Sequence, residues 1–167
     1  MMAEYTTVFG SLDNYRKGGV DVIDDSPKNY VFSNVFEVAA KSKPYERVAV
    51  AKNFQYVIEA LRAEGTSPWF TCGHDEFVLC MDGRIEVHLV KLARPAPELK
   101  LGSDGAVRLG DNPDGRKMGR VILGRGHMAL LPTGAAYRFQ ADKPGVAMIQ
   151  TIEGPVTAQK WAEICLS

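Results

Sequence analysis

The sequence predicts an all-β domain, an antiparallel sandwich or jelly roll with an N-terminal arm and a short C-terminal helix. Three observations predict it. Short apolar runs recur with turn signals between them from Tyr30 onward. Phe77, Leu79 and Met81, then Ile85, Val87 and Leu89, alternate on either side of Asp82-Gly83, which reads as a hairpin because glycine takes φ > 0 at little steric cost. Only the end of the chain, from Thr157 to Cys165, carries a clear helical stripe.

Each segment follows from its own residues. Positions 1–29 are polar and punctuated by Gly10, Gly18, Gly19 and Asp24-Asp25-Ser26-Pro27, which breaks any long element. Tyr5, Phe9 and Tyr15 make this arm too aromatic for a disordered tail. It either packs along its own barrel or embraces another chain. Positions 30–167 form a single domain. Val31, Phe32, Val35, Phe36 and Val38 suggest a first strand, and Lys41-Ser42-Lys43-Pro44 a turn before the next, at Val48 and Val50. Phe54 to Arg62 fits both a helical stripe and strand alternation; strand is expected there, with Glu64 to Pro68 as the following turn. Positions 94–119 are rich in Gly, Pro and Asp and suggest a loop. Its run Asp111 to Gly115 lacks the acidic spacing of a calcium loop. Tyr137 to Phe139 and Val146 to Ile149 read as two short strands. Thr157 reads as the N-cap of a closing helix whose face is Trp161, Ile164 and Cys165.

Composition excludes several functions. The 167 residues carry 20 Lys and Arg against 20 Asp and Glu, so no electrostatic case exists for nucleic acid or an anionic membrane. No apolar run approaches the ~20 residues of a membrane span. Met1 to Thr7 has neither a basic nor an apolar leader region, and a cytoplasmic protein is expected. Cys72, Cys80 and Cys165 lack paired spacing and read as reduced thiols. There is no phosphate-binding loop and no dinucleotide fingerprint.

Glu76 and Gly83, with six residues between them, resemble the end of the first cupin motif, which places two histidines before that glutamate. Gly126, Pro132, Gly134 and Tyr137 resemble the second motif, which ends on a histidine. The turn residues are kept and most ligands are lost. Trp69 and Thr71, or Phe70 and Cys72 for the shorter gap, stand where the histidines belong, and Tyr137 where the last one belongs. A cupin-type antiparallel barrel that binds no metal is therefore expected, with Glu76 and Tyr137 as vestigial positions. One carboxylate holds a transition metal poorly.

Of the three histidines, His88 lies beyond the motif glutamate and His127 follows Gly126. His74 could serve as acid or base in a metal-free cupin enzyme, or simply cap the turn at Gly73. It would not pair with Asp75, since neighbours on a strand point to opposite faces. Trp69 and Tyr137 bring large apolar bodies with one polar tip. They either fill the hole left by the metal or wall a pocket for an aromatic ligand. Cys72 and Cys80 have no base at a recognisable spacing.

The runs Phe9 to Gly18, Tyr30 to Val38, Gln55 to Gly65, and His74 to Phe77 through His88 to Leu92 resemble the small subunit of the two-subunit hydroquinone 1,2-dioxygenases. That resemblance implies a heterotetramer of two small and two large subunits. It implies Fe(II) held by the large subunit, and cleavage of hydroquinone with O2 to 4-hydroxymuconic semialdehyde. It places no catalytic or metal-ligating residue in this chain, whose role would be assembly and stability of the large subunit. Trp69, His74 and Tyr137 are the substrate-pocket candidates. The alternative is a metal-free homodimeric cupin isomerase or dehydratase using His74 and Tyr137. A cupin that binds a small molecule without chemistry is a third.

Overall fold

The computed structural model describes residues 10–16, 23–24, 34–99, 105–161 and 163. Within them, one helix and ten strands follow in order. They are α1 (Val35–Lys41), β1 (Arg47–Asn53), β2 (Tyr56–Thr66), β3 (Trp69–Thr71), β4 (Glu76–Asp82), β5 (Ile85–Leu92), β6 (Val107–Leu109), β7 (Gly115–Leu123), β8 (Met128–Leu131), β9 (Ala135–Ile152) and β10 (Thr157–Ala158). No helix among them is long and apolar enough to cross a membrane.

Strand β9 is the spine. Its second half, up to Ile152, lies between β2 and β4, while its first half lies between β3 and β5. β8 extends the sheet beyond β4, β7 extends it beyond β5, and β1 with β10 extends it beyond β2. The sheet curls, and its concave side holds one apolar core. Leu61, Phe70, Val78, Ile85, Leu123, Phe139 and Ile149 meet there from both halves. Burial of such side chains is worth about 1.5–3 kcal/mol each.

The reading of Asp82-Gly83 as a hairpin is corrected. β4 and β5 do not pair with each other. Their partners on β9 run on in one direction, from Asp82↔Val146 to Glu86↔Gln140, so the chain bends at Gly83 without reversing. The glycine does take φ +80°. Its role is a close approach, since a Cβ there would stand 3.0 Å from the Gly145 Cα. The two expected short strands after Tyr137 are accordingly one long strand, bent where Asp142 to Pro144 are exposed.

Four further expectations change. Glu64 to Thr66 end strand β2 instead of forming a turn, with Gly65 and Thr66 paired to Ala141 and Gln140 of β9. Val35, Phe36 and Val38 are helical, because the Asn34 side chain accepts from the Phe36 and Glu37 N–H groups at 2.9 and 3.3 Å and caps a first turn. Lys41 to Pro44 therefore leads from helix to strand. Positions 94–119 hold β6 and the start of β7 as well as loop. Thr157 belongs to β10, parallel to β1, and is not a helix cap. Trp161 and Glu163 are helical, while Ile164 and Cys165 lie outside the described residues.

Of the arm, residues 10–16 pack on their own chain. Leu12 N–H donates to Asp82 Oδ2 at 2.8 Å, and the Tyr15 ring stacks on Phe36 with centroids 6.3 Å apart. Tyr5, Phe9 and Tyr30 lie outside the described residues.

Candidate functional site

The concave interior contains a closed polar network centred on Arg47, at the start of β1. Val48 faces outward under α1 with Val38 and Ala60, so strand alternation turns Arg47 inward. It is 2% exposed. Its Nε donates to Glu59 Oε2 on β2 at 2.5 Å, its Nη1 to the Tyr137 hydroxyl on β9 at 2.8 Å, and its Nη2 to Glu76 Oε1 on β4 at 2.9 Å. The guanidinium carbon also lies 5.2 Å from the Phe70 ring centroid, within cation–π range.

The acceptors are engaged in turn. Tyr137 donates to Glu76 Oε2 at 2.5 Å, and the Thr151 hydroxyl donates to Glu76 Oε1 at 2.8 Å. Thr157 donates to Glu59 Oε1 at 2.6 Å. A buried charge is tolerated only when paired and hydrogen-bonded, and both conditions hold at Arg47, Glu59 and Glu76. Burial alone would lower the Arg47 pKa, but Tyr137, Glu59 and Glu76 around it outweigh burial and hold it well above its ordinary value. Burial pushes the Tyr137 phenol well above its ordinary range; the nearby Arg47 charge opposes that rise and Glu76 adds to it.

The two vestigial motif positions, Glu76 and Tyr137, therefore meet. Of the two alignments of the lost histidines, Phe70 stands on this interior, with its ring centroid 5.9 Å from that of Tyr137. Cys72 is buried near Glu76, and burial first, then the Glu76 charge, push its thiol up to about 11. Trp69 faces the other side of β3. It packs with Ala96, Leu109 and Ala136 beneath the Arg138 guanidinium, whose carbon is 4.7 Å from the indole. Trp69 and Tyr137 therefore do not share a slot.

His74 lies at the rim. Its Nε2 accepts the Ile152 N–H at 3.2 Å, which leaves the ring proton on Nδ1, 2.7 Å from the Asp75 carbonyl. The Asp75 carboxylate accepts the Thr133 N–H at 2.8 Å instead of pairing with the imidazole. Thr151, 3.4 Å from His74 Nε2, connects the rim to Glu76. Tyr137 beyond it is only 1% exposed, so His74 and Tyr137 do not open onto a common cavity. His88 pairs with Glu86 at 3.1 Å, and His127 Nδ1 accepts the Gly124 N–H at 3.0 Å. Among the described residues no group of three or more His, Cys, Asp or Glu could hold a metal ion.

Arg47, Glu59 and Thr151 are absent from the residues singled out in the sequence. A signal was available at Glu59, which shares the inward phase of Val57, Leu61 and Ala63 on β2. A charge at an inward position of an apolar strand implies a buried partner.

A curled antiparallel sheet of this topology, with its two motif remnants joined in the interior, defines a cupin. Over 97% of its length the chain is 65% identical to 98% of a chain of hydroquinone 1,2-dioxygenase from Sphingomonas sp. TTNP3 with 4-hydroxybenzoate bound, with TM-score 0.92. It is 53% identical, over all of both chains, to one in hydroquinone 1,2-dioxygenase PnpCD in complex with Cd2+ and 4-hydroxybenzonitrile, with TM-score 0.90. The chain belongs to the hydroquinone 1,2-dioxygenases. In PnpCD in complex with Fe3+ it also matches a larger chain in fold, with TM-score 0.60 and 13% identity, over 84% of this chain and 38% of that one. No family model and no curated protein matches the sequence.

Proposed function

We propose that this chain is the small subunit of a ring-cleaving hydroquinone 1,2-dioxygenase and holds no catalytic iron. In this reading Fe(II) and its ligands belong to a larger cupin subunit, and two chains of each kind form a cytoplasmic heterotetramer. The complex opens hydroquinone with O2 to 4-hydroxymuconic semialdehyde. The small subunit supports assembly and stability of the large one, with residues 1–29 as its N-terminal arm. Trp69, His74 and Tyr137 are the substrate-pocket candidates in this reading, His74 at the rim, Trp69 beneath Arg138 and Tyr137 in the closed interior.

The observation that carries this reading is Arg47. Its guanidinium occupies the place where cupin ligands would converge on a cation, and both Glu76 oxygens are already engaged by Arg47, Tyr137 and Thr151. A divalent ion would have to displace a fixed positive charge. It would find no histidine beside the motif carboxylate, a poor donor set for iron.

The test is metal analysis of the assembled complex carrying Glu76→Gln in this chain, with Tyr137→Phe as a second variant that keeps the carboxylate. Iron per complex is expected to match the unaltered complex in both. Iron that falls with Glu76→Gln but not with Tyr137→Phe overturns the reading.

A further inference from the structure

The outward positions of β2, β9, β4 and β8 form a continuous apolar surface, contrary to the usual polar outer face of an antiparallel sheet. Register places Phe77 beside Gln150 and Leu130, and Leu79 beside Met148 and Met128. Ile58 joins them from β2, lining with Phe77, Leu79, Met128 and Met148 a groove of about 100 Å³. Tyr56, Phe77 and Met128 are 59%, 43% and 60% exposed. α1 covers the neighbouring part of this face through Val38 and Phe36, and stops short of these residues. No charged side chain lines the groove. Lys52, on the adjoining strand β1, is paired with Glu153 at 2.6 Å. Aromatic and Met side chains with charge kept out of the centre are the composition of an interface core.

We propose that this face is the docking surface for the larger cupin chain of the enzyme, sheet face against sheet face. The inference rests on the two-subunit reading above and adds the surface. The occupant follows from the comparisons, in which chains of PnpCD match this chain both over its full length and as a larger chain with this fold in part of it. Two such sheets pack at ~10 Å with their side chains interdigitated, and the groove between Phe77 and Met128 admits one apolar side chain of the partner. Of the other exposed apolar residues, Ile23 lies in the arm and Phe54 in the turn between β1 and β2, while Met118, Val121 and Ile122 lie on β7 among Arg116, Lys117 and Arg120. Charges of that kind keep a sheet margin solvated.

The test co-expresses this chain, tagged, with the larger chain of its own host, and weighs what is recovered. Phe77→Glu with Met128→Glu is expected to lower recovery of the larger chain about tenfold or more. Met118→Glu with Ile122→Glu is expected to leave it unchanged. All these positions are exposed, and an unaltered near-UV dichroism and Tm of the recovered tagged chain confirm folding. An intact complex in the first variant overturns the proposal, as does equal loss in both. If the unaltered chain is recovered only as a homodimer or a monomer, the two-subunit reading fails, and this proposal with it. A homodimer broken by the first variant would assign the face to a second copy.

Discussion

Arg47 and Glu76 hold each other twice, directly at 2.9 Å and again through the Tyr137 hydroxyl, which accepts from Arg47 and donates to Glu76. Three strands distant in sequence supply the three groups. The interior that joins the two motif remnants is thus closed by a cation belonging to the chain itself. The covalently tethered guanidinium neutralises the motif carboxylate and spans to Glu59.

Removing that cation strands the carboxylates. Arg47→Met leaves Glu59 and Glu76 buried without a counter-charge, and breaking a buried pair in this way costs about 3–5 kcal/mol. Thermal unfolding should show a large fall in Tm. Adding Glu59→Gln and Glu76→Gln to Arg47→Met removes the unpaired charges and should recover part of the loss. A triple variant less stable than Arg47→Met would show that charge is not the main term.

The motif remnants were legible because spacing survives substitution: Glu76 with Gly83, and Pro132 with Gly134 and Tyr137, identified two residues that touch. Strand β4 was legible from alternation, and β2 only in part, because Phe54 to Arg62 fits a helical stripe as well. Arg47 and Glu59 were not identified, because each is tolerable inside only through the other, and their pairing crosses between strands. α1 was read as a strand because Val35, Phe36 and Val38 favour one, while the decisive feature is the single Asn34 cap. Gly83 was read as a reversal because its partner, Gly145, stands on a strand far along the chain.

That pair of glycines yields the second prediction. Gly83→Ala places a Cβ 3.0 Å from the Gly145 Cα, at φ +80°. Gly145→Ala places one 2.7 Å from the Asp82 carbonyl oxygen. Backbone neighbours cannot swing away, so each change should cost at least the ~1–2 kcal/mol of a left-handed or crowded alanine. Denaturant midpoints check this; Gly110→Ala, where a Cβ meets nothing within 4 Å, is the control.

Alkaline pH should loosen the fold through the same interior. Burial raises the Cys72 thiol from its ordinary 9.0 to about 11, and lifts the Tyr137 phenol well above its ordinary 10.0. The folded chain therefore holds both protons more tightly than the unfolded chain does. Stability from this source is complete below pH 9.0, the ordinary thiol value, and fades as pH rises toward 11 and beyond. Tm measured from pH 7 to 11 should be level at first and then decline. Cys72→Ala should remove the earlier part of the decline, and a Tm curve that Cys72→Ala leaves unaltered would contradict the assignment.

His74 separates the subunit reading from a metal-free enzyme. In the subunit reading its imidazole anchors the end of β9 by accepting the Ile152 N–H, beside the groove formed with Tyr56, Phe77 and Gln150. His74→Ala removes the hydrogen bonds to the Ile152 N–H and the Asp75 carbonyl, each worth about 0.5–1.5 kcal/mol, and should weaken assembly without altering the chemistry. Ring cleavage per bound iron should then be unchanged at high protein concentration and fall on dilution as the complex dissociates. An acid or base acting on substrate behaves differently: its loss lowers kcat by about 10²–10⁴-fold at every protein concentration and erases one limb of the pH–rate profile. Turnover measured against protein concentration and pH distinguishes the two. A concentration-independent collapse would make His74 an acid or base acting on substrate and contradict its purely structural role.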